Sequence, residues 1–336
     1  MGTRIDTTLA ADLLPEAAQS AADVMDPDCL TDAAERLQRP TDFFSTDQLD
    51  QFRSVSDLRG LGLVLHCWAV ILGVWVVVSM WTNPLTVVLG IVVVGARQLG
   101  LAVLSHDGAH FGLLRNRAAN DWVSEWLLSR PLLGASIESY RRYHLKHHAN
   151  TQQPDDPDLH LSKPFPISLA SFQRKVWRDL TGQTGFKQYG GMIQGYFANG
   201  FWRGMRRLGP NIGINAMFLA GFAVWSEWWL FFLLWWVPAL TWNRFVTRLR
   251  NIGEHAAVPD DNDRLRNTRT IKASWLERAL VAPYFVNFHL EHHLVVNAPC
   301  YRLPSIHDVL LKQGLASHME LKASYPEMLR EAALCA

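Results

Sequence analysis

The chain has 336 residues, is 49% hydrophobic with 14 Trp, and carries a formal charge of +1. That composition leans away from an ordinary soluble domain and toward a membrane protein, and no nucleic-acid partner is expected. The charge is uneven: residues 1–50 hold 11 acidic and 3 basic side chains, a net −8 that leaves +9 for the remainder.

Taken in chain order, residues 1–55 read as an acidic, flexible cytoplasmic tail. No apolar run occurs before residue 60, so no cleavable secretory signal is expected. Residues 61–81 are uncharged and apolar, about the ~20 residues a helix needs to cross the hydrocarbon layer. After the turn signal Asn83-Pro84, a second such run covers 85–104, interrupted only by Arg97-Gln98. A long polar stretch follows, 105–211, within which 122–133 is too short to span and is expected to lie along the interface. A third run, 212–225, breaks at Ser226-Glu227 and gives way to a fourth, 228–245. Trp225, Trp228 and Trp229 crowd that turn and Trp235, Trp236 and Trp242 the far end, where indole rings are expected at headgroup level.

The predicted fold is therefore an all-α membrane protein, with four transmembrane helices in two hairpins belonging to one domain, 56–336. The tight turns 81–84 and 226–227 contain no Lys or Arg, whereas 105–211 contains 14. Lys and Arg mark the cytoplasmic side, which puts both termini and a helical cap there, in a multi-pass protein of the cell inner membrane. Cys29, Cys67, Cys300 and Cys335 are scattered, with no C-x-x-C pair to hold zinc or an iron–sulfur centre.

Nine of the thirteen histidines fall in four short clusters beside predicted spans. His106-Asp-Gly-Ala-His110 places two rings on one face of a continuing helix. His144-Leu-Lys-His147-His148 and His289-Leu-Glu-His292-His293 repeat one spacing, H-x-x-H-H. In a helix, positions i, i+3 and i+4 share a face while adjacent rings diverge, so each of these clusters can reach two metals. Asn251-Ile-Gly-Glu-His255 adds a ninth imidazole. Nine exceed the three or four that one zinc takes, and two ions fit the count. Imidazole suits iron, copper, nickel and zinc alike. Asp107, Glu254, Glu291, Asp155, Asp156 and Asp158 lie near the rings in sequence and are suited to accept their second N–H.

These spacings resemble the three histidine boxes of the membrane fatty acid desaturase family, H-x(3 or 4)-H, H-x-x-H-H and H-x-x-H-H, in order and over roughly 60–310. The run from Asn287 through His293, with Pro299, Tyr301, Leu303, Pro304 and His307, is similar to a bacterial branch of desaturases and hydroxylases. The resemblance implies two iron ions, O2 as co-substrate, a lipid or acyl substrate, and His106, His110, His144, His147, His148, His289, His292 and His293 as ligands. His255 is similar to a further ligand of acyl-CoA desaturases, and Asn251 to an asparagine that holds an iron-bound water there. The third box opens on His289 where front-end desaturases carry glutamine, and no H-P-G-G haem motif is present. Electrons are then expected from a separate ferredoxin, rubredoxin or cytochrome b5.

The leading expectation is an acyl desaturase, with a hydroxylase or ketolase of lipids, carotenoids or alkanes sharing the same site. A zinc-dependent membrane hydrolase, which needs only three histidines on one ion, is the distant alternative, and a metal transporter or scaffold is further still. His66, inside the first span, reads as a packing histidine. His160, His307 and His318 match no ligand spacing. Arg97 reads as a cation that snorkels or pairs with an acidic headgroup, with a substrate carboxylate as the alternative. Arg141-Arg142 with Lys146, and Arg203 with Arg206-Arg207, fit positive-inside topology, or the docking of an acidic electron carrier or of phospholipid headgroups.

Overall fold

The computed structural model describes residues 39–333; the greater part of the acidic tail, 1–38, and residues 334–336 lie outside it. The rest of that tail forms two short helices, Pro40–Phe43 and Thr46–Arg53. Ser45 accepts from the Gln48 N–H and starts the second. Its Leu49 and Phe52, three apart, are buried together with Phe44, so the packed body begins before residue 56. An acidic outer face hides this in composition.

Helix α1 (Asp57–Met80) and helix α2 (Pro84–Ala109) follow. The Asn83 side chain accepts from the Leu85 and Thr86 N–H groups, and Pro84 takes the first helical position, where its missing donor costs nothing. Helix α1 buries one stripe, Gly60, Val64, Cys67, Ile71, Trp75 and Val78. Its opposite face leaves Leu58, Leu65, Leu72 and Val76 uncovered. A one-sided apolar surface of this size suits a lipid environment rather than water. Helix α2 is buried nearly all round from Val94 onward and is the central strut.

Helix α3 (Ile137–Ala149) carries the second histidine cluster, and α4 (Leu169–Leu180) and α5 (Gln183–Phe197) lead to α6 (Phe201–Trp225). The third run begins at 201, not 212, because hydropathy marks where charge stops and not where a helix starts. Between α2 and α3, residues 122–133 are not one helix but the end of Arg117–Val123, a π-helical stretch Ser124–Ser129 and a 3-10 turn Arg130–Leu132.

Among the described residues, three helices are long and apolar enough to cross a membrane: α1, α2 and α6. The predicted fourth run, 228–245, is segmented into Trp228–Phe231, a π-helical Phe232–Trp236, Val237–Leu240 and the start of α7 (Trp242–His255). Pro238 is the cause, since it has no N–H to donate to the Leu234 carbonyl. Trp75 Nε1 donates to that carbonyl instead, at 3.4 Å, and Gln98 Nε2 donates to the Trp235 carbonyl at 2.8 Å. Trp235, expected at headgroup level, is fully buried with its indole N–H on Asn215 Oδ1 at 3.1 Å. Trp225, Trp228 and Trp229, by contrast, are exposed.

The remainder packs under α2 and α7. Strands β1 (Thr270–Ile271) and β2 (Leu321–Lys322) pair in parallel, followed in space by α8 (His289–Leu294), α9 (Leu303–Lys312) and α10 (Tyr325–Ala333).

Candidate metal centre

Four helix ends converge on one buried volume. Helix α2 stops at Ala109 because His110 leaves helical geometry and Phe111 turns left-handed. Arg141 fastens this end: its Nε donates to the Ala109 carbonyl at 2.7 Å, its Nη2 meets Asp121 Oδ1 at 2.5 Å, and it stacks on Phe111 at 3.9 Å. Gly108 permits the close fit, since a Cβ there would lie 1.9 Å from Ser124 Oγ. Arg141 is thus an internal clamp, whereas Arg203, Arg206 and Arg207 are exposed. Helix α7 ends at His255, with Arg269, nearly fully buried, donating to the Ile252, Gly253 and Ala257 carbonyls.

The nine rings sort into two sets whose donor nitrogens lie within 4.8 Å of one another: His106, His110, His144, His148 and His292, and His147, His255, His289 and His293. Each H-x-x-H-H helix contributes to both sets, as divergence of adjacent rings predicts. The sets adjoin, with His148 and His293 ring centres 4.2 Å apart.

The nitrogens are arranged for a shared cation. His148 Nε2 faces His144 Nε2 at 2.9 Å and His292 Nε2 at 3.0 Å; His289 Nε2 faces His255 Nε2 at 2.8 Å and His293 Nε2 at 3.0 Å. One nitrogen offers one lone pair or one N–H and cannot serve two partners. Two imidazole nitrogens at ~2.1 Å from one ion, at right angles about it, lie ~3.0 Å apart. His106 Nε2 and both nitrogens of His110 are buried without a hydrogen-bond partner among the described residues. Burial first, then the neighbouring rings and, except at His148 and His293, nearby arginines hold His144, His148, His255, His289, His292 and His293 well below the usual imidazole range, and bring His110 down to about 3. Neutral imidazole is the ligating form, so the donor set fits a pair of metal ions.

The carboxylates divide. Asp156 Oδ1 accepts from His147 Nδ1 at 2.8 Å and is itself held by the Gln152 and Asp158 N–H groups. Glu254 lies 3.5 Å from His289 Nδ1 and pairs with Arg250. Burial pushes Glu254 up to about 7 despite that arginine. Asp158 stands 4.0 Å from His147 and binds the Tyr143 hydroxyl. Asp107, Glu291 and Asp155 do not serve the rings. Asp107 accepts from the Cys300 N–H, Glu291 binds His307 and Thr270, and Asp155 is exposed. Adjacency in sequence turns the Asp107 and Glu291 carboxylates about 100° away from the neighbouring rings on their helices. Asn251 lines a cavity of about 50 Å³ with His144, His147, His255 and His289.

Sequence reasoning missed Thr151, whose hydroxyl lies 3.2 Å from His293 Nδ1, and Gln152, which donates to the His255 carbonyl at 2.6 Å. A polar residue in a turn gives no signal for either. His66 is joined to Tyr284, while His160 and His318 lie at the surface.

One long apolar helix, α2, meets three shorter ones at two adjoining histidine sets, each able to hold a metal ion, and this defines a class of polyhistidine metal-site protein. The family model described as fatty acid desaturase matches residues 82–323, and the chain belongs to that family. It is 26% identical over 253 residues to dihydrorhizobitoxine desaturase of Bradyrhizobium elkanii, covering 67% of each chain. It is 24% identical over 247 residues to a beta-carotene ketolase of Paracoccus sp. (strain PC1), covering 72% of this chain and 88% of the ketolase. Zeaxanthin 4-ketolase of Chlamydomonas reinhardtii is 26% identical over 278 residues, 78% of this chain and 56% of that protein.

Proposed function

We propose that this chain is an O2-dependent membrane oxidoreductase that holds two iron ions and oxidises an unactivated C–H bond of a lipid-like chain, forming a double bond in an acyl group. The observation that carries this reading is the sorting of nine imidazoles into two adjoining sets. His106, His110, His144, His148 and His292 hold one ion, and His147, His255, His289 and His293 the other, with Asn251 placed to hold a water beside the second. Bound iron supplies the reductive activation of O2, chemistry that side chains lack. The chain's own part is to keep the rings neutral by burial, to orient His147 through Asp156, and to shut bulk water out.

A second reading, hydroxylation or ketolation of a lipid, carotenoid or alkane, draws on the two ketolases among these relatives. Both readings use one centre and differ in where the substrate carbon rests, a difference of placement to which rates are very sensitive. The topology that accompanies either is four crossings, with 228–245 passing as a broken helix, and the histidine sets and both termini on the cytoplasmic side of the inner membrane. A separate ferredoxin, rubredoxin or cytochrome b5 delivers electrons.

The test is metal analysis of the purified protein together with mass spectrometry of lipids from an expressing host. Two irons per chain and an O2-dependent product lacking two hydrogens are expected. A product gaining one oxygen selects the second reading, and one zinc with O2-independent activity overturns both.

A further inference from the structure

Arg97 and His66, polar residues inside the first two apolar helices, meet at one side chain. Arg97, Gly100, Val103 and Asp107 recur at three- and four-residue spacing and share one face of α2. Tyr284 lies across that face. A Cβ on Gly100 would sit 2.8 Å from Tyr284 Cε2, so only glycine admits the ring. The Tyr284 hydroxyl is 3.1 Å from His66 Nδ1, and the Arg97 guanidinium stands 5.6 Å from the ring centre. On the side toward the histidines, Tyr284 walls a cavity of about 20 Å³, shared with Val103, Val286, Cys300 and Leu303, with Asp107, and with His106, His292 and His289. The cavity therefore touches both histidine sets. Tyr284 and Phe285 both adopt the left-handed backbone region, at φ 54° and 63°, a strain that non-glycine residues keep where the surroundings demand a particular placement.

Arg97 is 7% exposed near the middle of α2. Its guanidinium donates to the Ala279 carbonyl and stacks on Tyr284, and no carboxylate among the described residues forms an ion pair with it. A buried guanidinium is costly without an anion beside it. Ala279 belongs to the short helix Trp275–Leu280, whose Trp275 and Leu276 are exposed. Apolar surface flanking a buried cation is what an anionic amphiphile matches.

We propose that Arg97 anchors the anionic end of the substrate, a fatty carboxylate, whose hydrocarbon runs past Tyr284 toward the histidines, where the small cavity widens to admit it. This rests on the oxidoreductase reading for what happens at the far end, and makes the site of oxidation a fixed distance from the carboxylate. Along α2, nine residues separate Arg97 from His106, a rise of ~13 Å.

The test is equilibrium binding of radiolabelled palmitate and methyl palmitate to the full-length, metal-loaded protein in phosphatidylcholine nanodiscs, with phosphatidylglycerol as a competitor. The wild type should bind the acid about tenfold or more tightly than the ester, a charge-assisted preference. Arg97→Gln should lose that preference with ester binding unchanged, and Arg97→Lys should retain part of it at an equal melting temperature. Equal binding of acid and ester by the wild type overturns the proposal, as does an undiminished preference in Arg97→Gln. Arg97-dependent competition by phosphatidylglycerol without Arg97-dependent palmitate binding reassigns the anion to a lipid headgroup and also overturns it. Iron content and O2 consumption of the same preparations report on the oxidoreductase reading separately.

Discussion

His147 donates from Nδ1 to Asp156 Oδ1 across 2.8 Å, and both side chains are only 3% exposed. This contact fixes the tautomer: with Nδ1 protonated, His147 presents the lone pair of Nε2 to its set. Two backbone N–H groups hold the carboxylate in turn. Asp156→Asn preserves shape and removes the charge, and loss of such a supporting carboxylate weakens metal binding by about 10–100-fold. Metal titration of the stripped protein should show this at one ion of the two, the other retaining wild-type affinity.

The two ions should be separable by mutation. His147 belongs to the set of four donors and His292 to the set of five. His147→Ala and His292→Ala should each abolish turnover and lower iron content, and the ion lost should differ between them. Metal-to-protein ratios with a spectroscopy that resolves inequivalent irons would check it. Full activity with two irons in either variant contradicts the ligand assignment.

The spacing of the boxes makes the two-set arrangement legible in the sequence, because rings at i, i+3 and i+4 share a helix face and adjacent rings do not. The long apolar runs likewise marked α1 and α2 within a few residues. Pro238 was visible but its consequence was not: the break it makes is stabilised by Trp75 and Gln98, each more than 130 residues away in sequence. Burial of Trp235 depends on Asn215 in the same way. The supporting carboxylates were half legible, since proximity in sequence selected Asp156 and Glu254 together with Asp107 and Glu291, which face elsewhere. Only the packing of other elements decides which side of a helix meets the rings.

Positive-inside topology or carrier docking would leave Arg141 open to solvent, yet its side chain is 14% exposed and joins the end of α2 to Asp121. Truncation leaves the Ala109 carbonyl without its side-chain donor and the Asp121 carboxylate, 35% exposed, with Asn120 Nδ2 as its remaining side-chain donor, a change that costs about 1–3 kcal/mol. Arg141→Ala should lower the melting temperature and loosen His110, while Arg142→Ala should be nearly silent, because its pair with Glu138 is 67% and 73% exposed. Equal effects of the two substitutions would remove the clamp from the account.

Acid sensitivity should depend on whether metal is bound. Burial holds six of the rings well below the ordinary imidazole range and His110 at about 3. In the unfolded chain these groups titrate near ~6.5. As pH falls below that value the unfolded state binds protons that the native state does not, and stability falls with pH. The contribution is thus complete above ~6.5 and is lost progressively toward the native values. The sign is that of a group whose folded pKa is depressed, and several rings act together. Metal stripped with a strong chelator should leave a protein whose melting temperature drops steeply between about pH 7 and 5. The loaded protein gains stability in proportion to the logarithm of free metal over its dissociation constant, about 4 kcal/mol at a thousandfold excess. Its melting temperature should hold to lower pH, until protons displace the ion. Calorimetry of both forms across this range would decide the matter, and parallel curves would mean that the imidazoles do not face a metal.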